Sequence, residues 1–424
     1  MAVPSIENIA GVVAGAGARH IVVEAGRCVE VRHRAAQCGA CMDTCPEGAI
    51  TVKDNRITLQ PELCLGCGSC ASECPTQALR TVQPSESDLI MFVDTVADEV
   101  FGKLAESDAD KEPVLEFACE HAHPSSADAR IIVPALPYVD EAVLVHAAAS
   151  GFDRIVLTSC NDARCMKPTL AAVPDILATV RPLLAAAGSA CTISLRREKP
   201  PAQNEEDSKA TRKHARKPTP RPTANGSETQ VNTVTGTTTV GHREYSRRGM
   251  LSDMASQAST IVAETAAAEL RDRLGQQPEQ PSLRQTLTDG TGKMRKFDMP
   301  RAESLLNDLY VLNPEPTGPL NVRGFAQVEV NAQACTRCGM CMNFCTTGAL
   351  EGEAAPIGSN PFGAWRPAGL QNEEPEVKGS LTFRISDCVG CHLCEVACPL
   401  RCLHVNDEVD ASTIFELEPI DLLA

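Results

Sequence analysis

The sequence predicts an α+β chain in which two small cysteine-rich modules, one towards each end, flank a small α/β domain with a parallel sheet, the parts being joined by disordered linkers. Three observations predict it. Sixteen of the 21 cysteines fall into two pairs of four-cysteine runs, separated by roughly 260 residues. Between residues 112 and 197 short apolar runs alternate with stretches of helical length, the pattern of strands with covering helices. Residues 198–242 are rich in Pro, Thr, Lys and Asn and hold almost no large apolar side chain, so they cannot bury a core.

The first module spans residues 1–84. Its clearest run sets Cys64, Cys67 and Cys70 at successive three-residue steps and Cys74 four residues further on, closed by Pro75. Three thiolates at that spacing reach three corners of one small cube, and turns at Gly66 and Gly68 let backbone N–H groups point at its sulfides. Upstream, Cys38, Cys41 and Cys45 followed by Pro46 repeat the spacing, but Ala35 stands where the first cysteine would fall, and Cys28 is its natural substitute. The last module, residues 321–424, carries Cys335, Cys338, Cys341 and Cys345, then Cys388, Cys391, Cys394 and Cys398; there Thr346 replaces the usual proline of the first run. Structural zinc, the other common user of four thiolates, usually draws on two separated CxxC pairs, and three evenly stepped cysteines closed by Cys-Pro argue against it.

Over roughly residues 20–84 and 322–410 the chain resembles the two-cluster bacterial ferredoxin family, and the fold expected is therefore two ferredoxin-like dicluster modules. The family's crossed ligation implies one N-terminal cluster on Cys28, Cys38, Cys41 and Cys74 and a second on Cys64, Cys67, Cys70 and Cys45. At the other end it implies Cys335, Cys338, Cys341 and Cys398, then Cys388, Cys391, Cys394 and Cys345. Four [4Fe-4S] clusters follow, with a [3Fe-4S] centre as the alternative where Cys28 would ligate. The two modules read as an internal duplication: Cys45-Pro-Glu-Gly-Ala parallels Cys345-Thr-Thr-Gly-Ala. In the first, residues 49–52 and 56–59 form a β-hairpin about Lys53, Asp54 and Asn55. The second carries a longer insertion with the only tryptophan, Trp365, in a Gly/Pro-rich loop.

In the α/β domain, residues 85–197, the strands expected are 113–119, 130–135 and 154–160, and the helices 139–150 and 166–187. Cys119 and Cys160 close two of those strands, at the carboxyl edge where open α/β sheets bind ligands. With Cys165, and with His121 and His123 nearby, they form a candidate additional metal site. The segment resembles the iron–sulfur (delta) subunit of viologen-reducing hydrogenases, also found fused to heterodisulfide reductases. That resemblance implies an extra [2Fe-2S] cluster and a disulfide-reducing partner, although Ala122 and Ala135 stand where the family tends to have further cysteines. A redox pair of Cys160 and Cys165, or a scaffold without a cluster, are the other readings. Cys191 and Cys402 read as small buried residues, and His146 and His392 as packing or surface residues.

Residues 243–275 have the composition of an amphipathic helix and 276–320, rich in Gln, Gly and Pro, that of an extended connector. The net charge of −16 disfavours nucleic acid as a partner. Acid concentrates in residues 85–130, with twelve Asp/Glu against three Lys/Arg, and in 372–424, with eleven against three; such patches steer protein partners or serve as solvated faces. Nothing in the sequence reads as a membrane span or a secretory signal, and 21 cysteines at tight spacing fit a reducing, cytoplasmic setting. The function expected is a polyferredoxin-like electron-transfer subunit, with no catalytic residues of its own. It would relay single electrons between a redox enzyme of hydrogenase, formate dehydrogenase or reductase type and a protein partner. The alternatives are a disulfide-reducing or thiol-reducing oxidoreductase using Cys160 and Cys165, and a redox sensor or assembly protein.

Overall fold

A computed structural model describes residues 20–107, 112–123, 125–160, 170, 172–197, 238–240, 282–355 and 379–424. Cys165, Trp365 and the expected amphipathic helix at 243–275 lie outside the described residues.

The N-terminal module runs β1 (Ile21–Val23), α1 (Val29–Arg32), α2 (Ala40–Asp43), β2 (Ile50–Lys53), β3 (Arg56–Leu59), α3 (Ser69–Glu73) and β4 (Leu79–Thr81). β1 pairs antiparallel with β4, closing the module's two ends on each other. β2 and β3 form the expected hairpin. Its turn is built by Asp54 and Asn55, both at positive φ (52° and 57°), the pair of left-handed residues a tight hairpin turn demands and that Asn and Asp tolerate.

The middle domain follows as α4 (Glu86–Ser107), β5 (Val114–Cys119), β6 (Ala129–Val133), α5 (Glu141–Ala149), β7 (Arg154–Ser159), α6 (Ala172–Ala186) and β8 (Thr192–Arg197). The sheet is parallel throughout, in the order β8-β7-β5-β6-β9, where β9 is Thr238–Val240. β5 is central and almost wholly buried, as befits a strand covered on both faces that is apolar but for Glu116. β9 corrects one expectation. It falls inside the segment read as a disordered linker; its Thr-Thr-Val is β-prone, and the exposed edge of β6 offers it unpaired backbone groups.

A larger correction concerns residues 276–320. Instead of an extended connector they hold α7 (Leu283–Leu287) and α8 (Pro300–Leu312). Ser282 and Gln285 form a reciprocal capping box on α7. Pro300, which reads as a breaker in sequence, sits in the first turn of α8, where its missing N–H is harmless. Leu305 and Leu309, one turn apart, turn α8 into an amphipathic helix buried against α5. Leu287 and Met294 of the same stretch join the core of the N-terminal module.

The C-terminal module consists of β10 (Pro319–Asn321), β11 (Gln327–Val330), α9 (Met340–Phe344), β12 (Leu350–Glu351), β13 (Thr382–Phe383), α10 (Leu393–Ala397), β14 (Leu403–Asn406), β15 (Glu408–Asp410) and β16 (Ile420–Asp421). β11 pairs with β14 as β1 pairs with β4, so the two modules share a plan. One continuous core joins the central sheet, α8 and this module. Among the described residues, no helix is long and apolar enough to cross a membrane.

Candidate iron–sulfur sites

The cysteine runs wrap by a repeated backbone device. The residues on either side of the second cysteine adopt left-handed conformations: Gly66 and Gly68 about Cys67, Arg337 and Gly339 about Cys338, Gly390 and His392 about Cys391. The incomplete first run keeps half of it, with Gln37 left-handed before Cys38 but Gly39 at φ −96°. A second left-handed residue stands three places after each closing cysteine, at Gly48, Gln77, Gly348 and Arg401. That bend turns the next amides back on the sulfur: Ala49 N–H donates to Cys45 Sγ at 3.3 Å and Ala78 N–H to Cys74 Sγ at 3.2 Å. Glycine is therefore one way to meet this geometry, and five other residues meet it at the usual cost of a left-handed side chain, about 1 kcal/mol each.

These bends bring the cysteines of each module near one another, although among the described residues no three His, Cys, Asp or Glu side chains stand close enough to hold one metal ion. Burial first, and then the charge of neighbouring thiols, pushes the pKa values of several of them up. Cys41 is driven to about 12 by burial and by Cys74, Cys28 and Cys38, and Cys28 to about 11 by burial, with Cys74 and Cys38 contributing. Cys70 rises through burial and Cys67, Cys41, Cys64 and Cys45. At the other end Cys341 reaches about 12 through burial and Cys335, Cys338 and Cys398, while Cys394 rises through burial and Cys391, Cys388, Cys345 and Cys341. Cys28, seven residues ahead of the missing position, thus faces Cys38, Cys41 and Cys74. Cys70 feels Cys41 and Cys394 feels Cys341, so within each module the two sets of cysteines adjoin.

Clustered, largely sheltered thiols that repel one another as thiolates, some of them accepting backbone N–H bonds, fit an iron–sulfur core, whose positive iron stabilises every thiolate at once. A cavity between Cys335, Cys338, Cys341 and Cys398, walled by Leu381 and Leu403, marks one such position.

Residues 36–78 and residues 334–402 each match the family model of a 4Fe-4S dicluster domain. Two dicluster domains are present. They imply iron–sulfur electron transfer, and they cover the cysteine runs while leaving Cys28 and the middle domain outside. No curated protein and no solved structure matches the chain.

In the middle domain, Cys119 and Cys160 meet at the carboxyl edge of the sheet, thiol to thiol at 3.4 Å. His121 turns instead to Glu120, with Nε2 3.2 Å from Oε1. Among the described residues no three His, Cys, Asp or Glu side chains there converge on a single metal ion.

Three participants had no signal, or a misleading one, in the sequence. Cys402 is no ordinary core residue: its thiol lies 3.5 Å from that of Cys398 and lines the same cavity. Its position four residues after a closing cysteine, where the amide meets the sulfur, was the available clue. Tyr138 lays its ring against Gly68, so that a Cβ there would stand 2.8 Å from Cδ2, and its hydroxyl donates to the Gly66 carbonyl at 3.0 Å. Arg32, buried, crosses between the modules, its Nε donating to the Phe344 carbonyl at 3.3 Å while Cys345 and Cys391 lie within electrostatic reach.

Proposed function

We propose that the chain is a polyferredoxin-like subunit that relays single electrons through four [4Fe-4S] clusters forming one continuous path. The clusters rest on the four groups Cys28/Cys38/Cys41/Cys74, Cys45/Cys64/Cys67/Cys70, Cys335/Cys338/Cys341/Cys398 and Cys345/Cys388/Cys391/Cys394. The observation that carries this is the direct packing of the two modules. Beyond the Arg32 bond, His33 meets Phe344 edge to face with centroids 5.0 Å apart, and Lys296 donates to the Cys345 carbonyl at 2.7 Å. Two independent ferredoxin modules on a tether would have no need of such an interface. With it, the Cys28 group and the Cys345 group become the inner members of a row. The outer members are the Cys64 group, against the central sheet, and the Cys335 group, whose Cys338 is exposed.

The cysteines make and break no substrate bonds. They set potential through thiolate ligation, N–H bonds to sulfur and burial. The partners are redox proteins, a hydrogenase, formate dehydrogenase or reductase-type subunit on one side, and the acidic segments select them. The thiol-rich composition supports a cytoplasmic setting.

Iron and acid-labile sulfide per chain, on protein purified without oxygen, test this reading. Four cubanes give about 16 irons; a [3Fe-4S] centre at the Cys28 group gives about 15 and an added [2Fe-2S] cluster about 18. A value near 8, or zinc in place of iron, would overturn it.

A further inference from the structure

We propose that Cys119 and Cys160 are a redox-active dithiol/disulfide pair, a two-electron site at the end of the cluster row that exchanges electrons with disulfides of a partner. The proposal rests on the relay reading for its electron source, and on the sheet for everything else.

The pair sits where the topology opens a crevice. From β5 the chain passes to β6 on one side, and β7 then lies on the other, so the strand order reverses between β5 and β7. In open α/β sheets ligands bind outside the carboxyl ends of the strands at such a reversal. Ala118 pairs with Thr158 in the parallel register, so Cys119 comes level with Ser159 and Cys160 follows one residue on, both leaving the sheet at that edge. Adjacent strands lie about 4.8 Å apart, inside the Cα separation a disulfide accepts, and thiols at 3.4 Å reach bonding distance by small side-chain rotations. Access is unequal: Cys119 is 2% exposed, whereas Cys160 is only partly buried. That is the asymmetry of an attacking thiol with a sheltered resolving partner.

The same edge receives the cluster row. After β6 the chain makes a 3-10 turn, Leu136–Tyr138, that packs against β5 and β7. Tyr138 from that turn covers Gly68 and bonds Gly66, both within the run from Cys64 to Cys70, and Glu120, next to Cys119, lies within its electrostatic reach. One aromatic side chain therefore spans from the thiol pair's edge to the cluster loop.

The step balances simply. The Cys119–Cys160 disulfide takes two electrons, delivered singly from reduced clusters, and two protons from solvent on the Cys160 side, giving two thiols. The Cys160 thiolate then attacks a partner disulfide and expels one partner thiol. Cys119 next attacks the mixed disulfide, re-forming the intramolecular bond and releasing the second partner thiol.

The test titrates the full chain through glutathione buffers, quenches with an alkylating reagent and maps peptides by mass spectrometry. Cys119 and Cys160 are expected to lose alkylation together in one two-electron step and to appear as a single linked peptide. Reducing the clusters of the oxidised protein should restore both thiols, several-fold more slowly in Tyr138→Leu than in Tyr138→Phe, with iron per chain unchanged in both. Absence of the linked peptide overturns the proposal, as does a loss of about two irons per chain in Cys160→Ser, the mark of a binuclear cluster. Equal restoration rates in the two Tyr138 variants overturn the coupling to the clusters. If the chain holds no iron, the relay reading fails, while the glutathione titration still decides the thiol pair.

Discussion

Glu116, 1% exposed in the middle of β5, is the polar knot of the central sheet. Thr158 donates to its Oε1 at 2.6 Å, Ser125 to its Oε2, and the guanidinium groups of Arg130 and Arg196 pair with it, so one carboxylate ties β5 to β6, β7 and β8. Removing only the acid strands Arg130, itself buried. Glu116→Leu should therefore destabilise by about 3–5 kcal/mol in denaturant unfolding, and the double variant with Arg130→Met should recover a large part of that. Arg32 joins the two modules and also bears on electrons. A cation near Cys345 and Cys391 favours the reduced, more negative state of the cluster proposed on them. Arg32→Gln is expected to lower that cluster's potential by tens of millivolts, on the order of 1 kcal/mol for a one-electron couple, with the Cys64-group cluster unmoved in an EPR-monitored titration.

At the scale of elements, α8 shows how a segment read as connector becomes a helix. His146 of α5 holds it, with Nδ1 3.0 Å from Asp308 of α8 and Nε2 2.9 Å from Asp94 of α4. Burial alone would depress the imidazole, but the two carboxylates win and its pKa is raised. A histidine raised in the folded state stabilises fully below its unfolded pKa, about 6.5, and that contribution fades as pH climbs through the folded value. Unfolding stability should then fall from slightly acid to mildly alkaline pH, and His146→Gln should flatten the profile. The cluster loop obeys a steric rule at the same scale. Gly68 holds φ +79° under the Tyr138 ring, so Gly68→Ala should lose iron from the Cys64 group, seen as about four fewer irons per chain.

The whole molecule is bolted by two arginines, one on α8 and one at the start of the C-terminal module. Arg301 of α8 reaches the carbonyls of Ala71 (2.8 Å) and Ser72 (3.1 Å), and pairs with Asp140 (2.9 Å) and Glu86 (3.3 Å). Arg323, from the start of the C-terminal module, pairs with Glu73 of α3 and Glu141 of α5. Both therefore join three parts of the chain around α3. Arg301→Met leaves Glu86 and Asp140 buried against each other, and hydrogen exchange is expected to rise across α3 and the Leu136–Tyr138 turn together, rather than in one alone.

What the amino-acid order determined by itself was local: the spacing of the cysteine runs, the Asp54-Asn55 hairpin, and three of the strands and two of the helices of the middle domain, but not α4 or β8, since three-residue steps and apolar periodicity act between near neighbours. Cys119 and Cys160 could be placed on strand ends for the same reason, but their 3.4 Å approach depends on β5 and β7 being adjacent, a long-range fact. The burial of α8, the strand at Thr238–Val240 and the meeting of the two modules through Arg32 and Phe344 were likewise decided by tertiary structure. Each joins residues tens to hundreds of positions apart, where composition alone reads as linker and only a partner surface turns a weak local preference into a stable element.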